Sequence, residues 1–375
     1  MKSFHPAKRL LMGPGPSDVH PRILEAMARP TLGHLDPDFQ GLMEEIKTGL
    51  KQAFQTKHKM TYPVSAPGSA GMETCFVNLV EEGDKVVIVK HGVFGERMRQ
   101  NVLRAGGEPV MVEFDWGTAP DLNLVEQVLN QNTDAKILAF VHAETSTGVR
   151  ADAAALCKLA KDHDCLTIVD AVTSLAGIPV LVDDWGVDAI YSGSQKCLSC
   201  TPGLSPVSFS EAALEKIRNR KSMVRSWFLD LTLVMDYWEG EGGRSYHHTA
   251  PVNALYGLHE SLVMLFEEGL NATFERHRMA HDMLVAGLSD LGLEMFVAAE
   301  DRLPQLNAVA IPEGVDEAAV RSRMLNDHGI EIGAGLGPLA GKIWRIGLMG
   351  NSARPEAVER CLNGLEASLK AGHNS

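Results

Sequence analysis

Between residues 57 and 209, short apolar runs alternate with amphipathic stretches. The runs at 85–89, 109–114, 136–143, 165–172 and 187–194 are rich in Val, Ile, Leu and Ala and have strand length, so each predicts a buried strand. The stretches at 97–107, 121–131 and 151–164 carry apolar residues at helical spacing, the first closed by glycine; they predict helices between the strands. A strand that is apolar on both faces needs cover on both faces. The alternation therefore predicts a doubly wound α/β domain with a mostly parallel sheet.

The sheet pattern stops near Ser210. A charged, aromatic-rich segment follows at 221–243, then a long apolar-striped helix over 252–268. From about Asn271 the chain reads as helix, strands, helix and strand, ending in an amphipathic helix that begins at Pro355. This predicts an N-terminal arm (1–20), a large α/β domain (21–268) and a smaller α+β domain (269–375). No internal repeat is visible.

Composition narrows the class. The 375 residues are 45% hydrophobic and 22% charged, with a formal net charge of −13, which is ordinary globular composition. An acidic chain without Lys/Arg clusters repels phosphate backbones, so nucleic acid is not an expected partner. No stretch reaches the roughly 18 apolar residues of a membrane span. Six cysteines in a chain this long are too few for a disulfide framework, and with no apolar leader pattern the expectation is reduced thiols in a cytoplasmic protein.

Ligand sites in open α/β sheets lie beyond the carboxyl ends of the strands. Three expected strands end there in polar residues, at 142–148, 169–174 and 191–196. Asp170 closes an apolar run, so its carboxylate needs a cationic partner. Lys196 ends a later strand and can face the same cleft. Beside it, Cys197 and Cys200 form a C-x-x-C, the spacing of a redox pair or half a zinc site, so two chemistries compete. A lysine amine that condenses with an aldehyde, and an aspartate that keeps a ring nitrogen protonated, together suggest pyridoxal phosphate. A small-residue turn followed by a helix opening near Gly71 supplies a candidate phosphate cradle. The turn lacks both G-x-G-x-x-G and G-x-x-x-x-G-K-S/T, which removes support for nicotinamide or nucleoside triphosphate binding. His247-His248 could suggest a metal, but no Cys/His partner lies at ligand spacing. One packed and one exposed histidine is the expectation, with no metal.

Six motifs in order carry a resemblance: S-A-P-G-S-A-G-M-E (65–73), H-A-E-T-S-T-G (142–148), V-D-A (169–171), S-G-S-Q-K (192–196), Y-H-H-T (246–249) and R-I-G-L-M-G (345–350). The chain resembles the alanine–glyoxylate aminotransferases, class V pyridoxal phosphate proteins of fold type I. The likeness runs from residue 12 to the last helix. It implies that Lys196 is the Schiff-base lysine and general base, that Asp170 pairs with the pyridinium, and that Thr145 lies near the ring hydroxyl. It implies that Gln195, with the turn at Gly68 and Ser69, contacts the phosphate, and that Phe94 stacks on the pyridine face. Tyr246 and Thr249 would reach the phosphate of a neighbouring subunit, so a homodimer is implied, and Arg345 would clamp the substrate carboxylate. The implied reaction moves the amino group of alanine, or next of serine, to glyoxylate.

The departures bear on the donor. Mammalian members of the family carry Ser-Gly-His in the phosphate turn and Trp as the stacking aromatic. Here the turn is Pro67-Gly68-Ser69 and the aromatic is Phe94. Pro67 has no N–H to offer. Small-residue turns also occur in serine–glyoxylate and ureidoglycine–glyoxylate enzymes. A lyase or cysteine desulfurase is a further alternative, but a desulfurase needs a thiol on a loop and Cys361 falls in a predicted helix.

Overall fold

The five apolar runs become neighbouring strands of one seven-stranded sheet. In the computed structural model, which describes residues 1–239 and 245–373, the order is Met60–Val64, Ser205–Phe209, Ala189–Tyr191, Leu166–Asp170, Ile137–Val141, Lys85–Lys90 and Glu108–Glu113. The four pairings from Ala189–Tyr191 to Glu108–Glu113 are parallel. Ser205–Phe209 runs antiparallel to both of its neighbours. The observed helices Val93–Ala105, Leu122–Gln131 and Ala153–Asp162 match the amphipathic stretches. The first begins four residues before its expected start.

Ser205–Phe209 was not legible as a strand. It carries serine at 205 and 208 among larger residues, and both serines are fully buried. Their hydroxyls are satisfied locally: Ser205 donates to the Ser192 carbonyl at 2.6 Å, and Ser208 shares a 2.8 Å hydrogen bond with Thr61. A buried polar group with a partner costs little, so a strand can hide from a hydrophobic scan.

Register sets the site. Val141 lies beside Asp170, and Asp170 beside Tyr191. In-register neighbours on adjacent strands project to the same face, so the Asp170 and Tyr191 side chains meet at the sheet's carboxyl edge. The largest apolar core covers both faces of this sheet. A second core gathers around the three-stranded antiparallel sheet of Leu306–Ala310, Ile343–Gly347 and Gly333–Ala334. Leu10 and Met12 join that second core. Leu10–Leu11 pairs in parallel with Ile330–Glu331, and the Gly347 N–H donates to the Met12 carbonyl at 2.7 Å. Arg345 lies opposite Ala308 and Gly333, small neighbours that leave room for a long side chain. Among the described residues no helix is long and apolar enough to cross a membrane.

The helix Gly68–Leu79 presses closely on the sheet. A Cβ added at Gly71 would lie 1.9 Å from Ser205 Oγ and 3.2 Å from Tyr191 Cβ. Gly71→Ala should therefore destabilise the fold by roughly 2 kcal/mol through overpacking. Urea unfolding checks this, and a variant as stable as the parent would show that the helix can lift without cost.

Candidate active site

Asp170 is the last residue of its strand and is 3% exposed. Its Oδ1 accepts the Val172 N–H at 2.8 Å, and its Oδ2 accepts the Tyr191 hydroxyl at 2.8 Å. Burial pushes the carboxyl up to about 6, against the pull of these hydrogen bonds and of the Lys196 and Arg97 charges. Lys196 is 8% exposed, and burial brings its ammonium down to about 8. Near neutral pH an appreciable fraction of this amine is unprotonated, the form able to attack a carbonyl.

Lys196 is held by the N-terminal segment. The Ser17 N–H donates to the Gln195 carbonyl at 2.8 Å, and the Ser17 hydroxyl donates to the Lys196 carbonyl at 2.7 Å. The Lys196 ammonium donates to the Pro14 carbonyl. Gly15, at φ +105°, crosses the lysine so closely that a Cβ there would lie 2.4 Å from Nζ. Both the left-handed backbone and the lack of a side chain are required at this position.

A cavity of about 170 Å³ opens on these groups and is lined by Gly68, Ser69, Phe94, Thr145, Asp170, Gln195 and Lys196. The structure thus brings seven of the ten sequence-selected residues together. Arg345 reaches the same region from the second sheet. It is buried, donating through Nε to the Ala334 carbonyl at 2.7 Å and through Nη1 to the Thr145 carbonyl at 3.1 Å. Burial lowers its pKa to about 10, opposed by the negative field of Glu144, so it remains a cation at neutral pH. Tyr246 and Thr249 do not line the cavity in this chain. Tyr246 is 61% exposed, and its hydroxyl lies 3.3 Å from that of Thr249.

Two orphaned features suit a phosphate-bearing ring. Pro67 caps the helix Gly68–Leu79 without any side-chain hydrogen bond, which leaves the positive helix terminus facing the cavity. The Gln195 Oε1 atom is buried without a partner, although buried polar atoms are nearly always satisfied. Together with a carboxylate at one end and an amine of lowered pKa, the residues present fit pyridoxal phosphate.

Three residues of the site escaped sequence reasoning. Tyr191 opens the polar stretch at 191–196, but only strand register shows that it meets Asp170. Arg97 places its guanidinium carbon 4.7 Å from the Phe94 ring centroid. The i, i+3 spacing on one helix face was the available signal. Glu144 is buried against the start of the same helix.

The competing thiols are poorly placed for redox or metal chemistry. Cys197 and Cys200 are buried free thiols, pushed up by burial to about 12 and about 11 respectively, so neither supplies a thiolate. Cys361 is buried within the helix Pro355–His373 and pushed up to about 12. His247 and His248 differ from expectation in that both are engaged. The first stacks on Trp227 at 4.5 Å, and the second bonds the Ser65 hydroxyl at 2.7 Å through Nε2. Among the described residues no group of three or more His, Cys, Asp or Glu gathers as a metal site.

Comparison with known proteins follows the same line. The family profile described as aminotransferase class-V matches residues 20–347. An alanine–glyoxylate aminotransferase from Drosophila melanogaster is 39% identical over 97% of this chain and 93% of its own. A (S)-ureidoglycine–glyoxylate transaminase from Bacillus subtilis is 38% identical over 96% of this chain and 90% of its own. The crystal structure of an alanine–glyoxylate aminotransferase from Nostoc sp. superposes with a TM-score of 0.96 at 44% identity, covering 98% of this chain and 97% of that one. The expected fold-type I architecture is borne out.

The Asp170 carboxyl titrates near 6 when folded and near 3.9 when unfolded. The folded chain holds the extra proton between those values, so this group's contribution to stability falls as pH rises through them. In cofactor-free protein Asp170→Asn should be more stable than the parent at pH 8, by ~1 kcal/mol, with the advantage vanishing towards pH 4. Urea unfolding at the two pH values measures this. A variant less stable than the parent at pH 8 would contradict the burial argument.

Proposed function

The chain belongs to the aminotransferase class-V family, and we propose that it transfers the amino group of a small amino acid to glyoxylate with pyridoxal phosphate carried on Lys196. Members of this family are pyridoxal phosphate-dependent. Relatives acting with glyoxylate match nearly the whole chain, which supports glyoxylate as the amino acceptor. Alanine is the proposed donor. Serine and ureidoglycine are the alternatives, favoured by the small Pro67-Gly68-Ser69 turn and by the ureidoglycine relative. The observation that carries the reading is a buried amine, its pKa lowered to about 8, and a hydrogen-bonded carboxylate facing one cavity.

Bound pyridoxal phosphate supplies an aldehyde that condenses with amines and a ring that, when protonated, accepts electrons from a substrate α-carbon. The protein's part follows from its own atoms. Lys196 Nζ provides the amine and, once a donor amine has displaced it, takes a proton and gives it back. Burial keeps its basicity close to the working pH, where such a group exchanges protons most effectively. Asp170, fixed by the Tyr191 hydroxyl and the Val172 N–H, presents a carboxylate to hold a proton on the ring nitrogen. Gly68, Ser69 and Gln195 would hold the phosphate, Thr145 would lie near the ring hydroxyl, and Phe94 would pack on the ring face.

Arg345 binds the substrate carboxylate in this proposal. Two backbone carbonyls engage its Nε and Nη1, which fixes the plane of a fork suited to a carboxylate, and neither bond uses Nη2. The Ser17 contacts and Gly15 close the side of Lys196 that faces the N-terminal segment, which keeps water off the amine on that side.

The exposed Tyr246 and Thr249 are proposed to complete the phosphate site of a neighbouring subunit, making the working unit a homodimer. A desulfurase reading loses support because Cys361 is buried in a helix. Alanine, serine, glycine and ureidoglycine, each tested against glyoxylate and pyruvate, rank the donors.

A transaminase treated with donor alone converts fully to its pyridoxamine form, whereas a lyase returns to its starting spectrum. Lys196→Ala should lower transamination by at least ~10³-fold and remove the visible band, and activity within a few-fold of the parent would overturn the assignment. Arg345→Lys should raise the donor KM about tenfold, since a point charge replaces a planar fork. Cys197→Ala with Cys200→Ala should leave the cofactor bound, as measured by absorbance.

A further inference from the structure

The turn that follows Ile137–Val141 does more than deliver Thr145. Its two flanking residues, Glu144 and Ser146, are fully buried. Glu144 Oε1 accepts the Ser146 N–H at 3.0 Å and the Ser146 hydroxyl at 2.6 Å, and its Oε2 accepts the Phe94 N–H at 3.3 Å. Ser146 Oγ in turn accepts the Val93 N–H at 3.0 Å.

Val93 and Phe94 open the helix Val93–Ala105, whose N-cap, Gly92, offers no side-chain hydrogen bond. First-turn N–H groups have no partner within their own helix. Here the partners come from residues 50 and 53 positions away in the chain. A Cβ on Gly92 would lie 2.3 Å from Glu144 Cδ, so glycine is what lets the carboxylate reach the helix. An acidic group at a helix N-terminus is favourable, and the three hydrogen bonds offset the cost of burying it. Burial still pushes this carboxyl up to about 7. Its negative charge also favours the charged form of Arg345.

We propose that Glu144 is a positioning residue: by holding the Phe94 N–H it fixes the aromatic wall of the cavity against which the cofactor ring packs. This rests on the pyridoxal phosphate reading above. Glu144 does not line the cavity. It acts through the start of a helix, on a side chain that does, and shares its turn with Thr145, whose carbonyl anchors Arg345.

Glu144→Gln keeps the shape but leaves one amide oxygen where two carboxylate oxygens served, and turns an NH₂ towards an N–H donor. The expected result is a pyridoxal phosphate dissociation constant raised about fivefold, read by titrating cofactor-free protein through its intrinsic fluorescence. The visible circular dichroism of the bound cofactor should weaken in step. Phe94→Ala should weaken cofactor binding by itself, and adding Glu144→Gln to it should cause no further loss, because coupled residues are not additive. Should Glu144→Gln not fold, Ser146→Ala, which removes one donor to the carboxylate and the acceptor for Val93, should weaken binding about fourfold in the same direction. The proposal is overturned if Glu144→Gln changes only the melting temperature, with affinity and dichroism within about twofold of the parent. It is equally overturned if the losses multiply in the double variant. The proposal also fails if Phe94→Ala binds pyridoxal phosphate as the parent does; failure of the underlying reading looks different, because the parent itself would then bind none.

Discussion

Everything at this site depends on keeping a carboxylate out of water at the end of a central strand. Asp170 carries a charge into a region of low dielectric, which is unfavourable unless the oxygens are engaged. Its backbone and side-chain donors, Val172 and Tyr191, reduce that cost, and the nearby cationic groups reduce it further. The same dryness acts oppositely on Lys196 by stabilising its neutral amine. A single physical condition, desolvation at the sheet edge, thus yields an acid that holds its proton longer and an amine that releases its proton earlier. Opening the site to water would relax both shifts together.

Dryness requires cover, and the cover comes from distant parts of the chain. Residues 10–17 run from a strand pairing with Ile330–Glu331 to the Lys196 backbone. Gly15 allows that segment to lie directly on the lysine. Arg345 arrives from the second sheet and is braced by the Thr145 carbonyl. The helix bearing Phe94 is capped from the turn that holds Thr145. The turn at 143–148 therefore joins two parts of the site that are far apart in sequence, Arg345 and the helix bearing Phe94.

Much of this was legible in the residues. The five apolar strands, their intervening helices and the long helix Val252–Glu268 appear where periodicity puts them, because those segments form their core contacts along one face or along both. The six motifs contain Lys196, Asp170 and, apart from Phe94, the other sequence-selected residues of the cavity. Ser205–Phe209 was not legible, since its burial rests on serine hydroxyls that find partners only in the folded sheet. The early start of the helix at Val93 was hidden for a related reason: its capping groups lie 50 and 53 residues downstream, and no local signal announces them.

What the sequence by itself determined was the kind of chemistry and the architecture to carry it. Apolar periodicity specifies strands and helices locally, and an aspartate, a lysine and an arginine in ordered motifs mark the likeness to the class-V aminotransferases. Tertiary structure alone decided which partner each of these groups has. Tyr191 reaches Asp170 through strand register, Gly15 covers Lys196 through a parallel pairing at the chain's start, and Glu144 holds Phe94 through a helix terminus. Hydrogen bonds and desolvation depend on distances of a few ångströms between residues tens to hundreds of positions apart. No local pattern encodes those distances, so the chemistry could be read from the chain but its tuning could not.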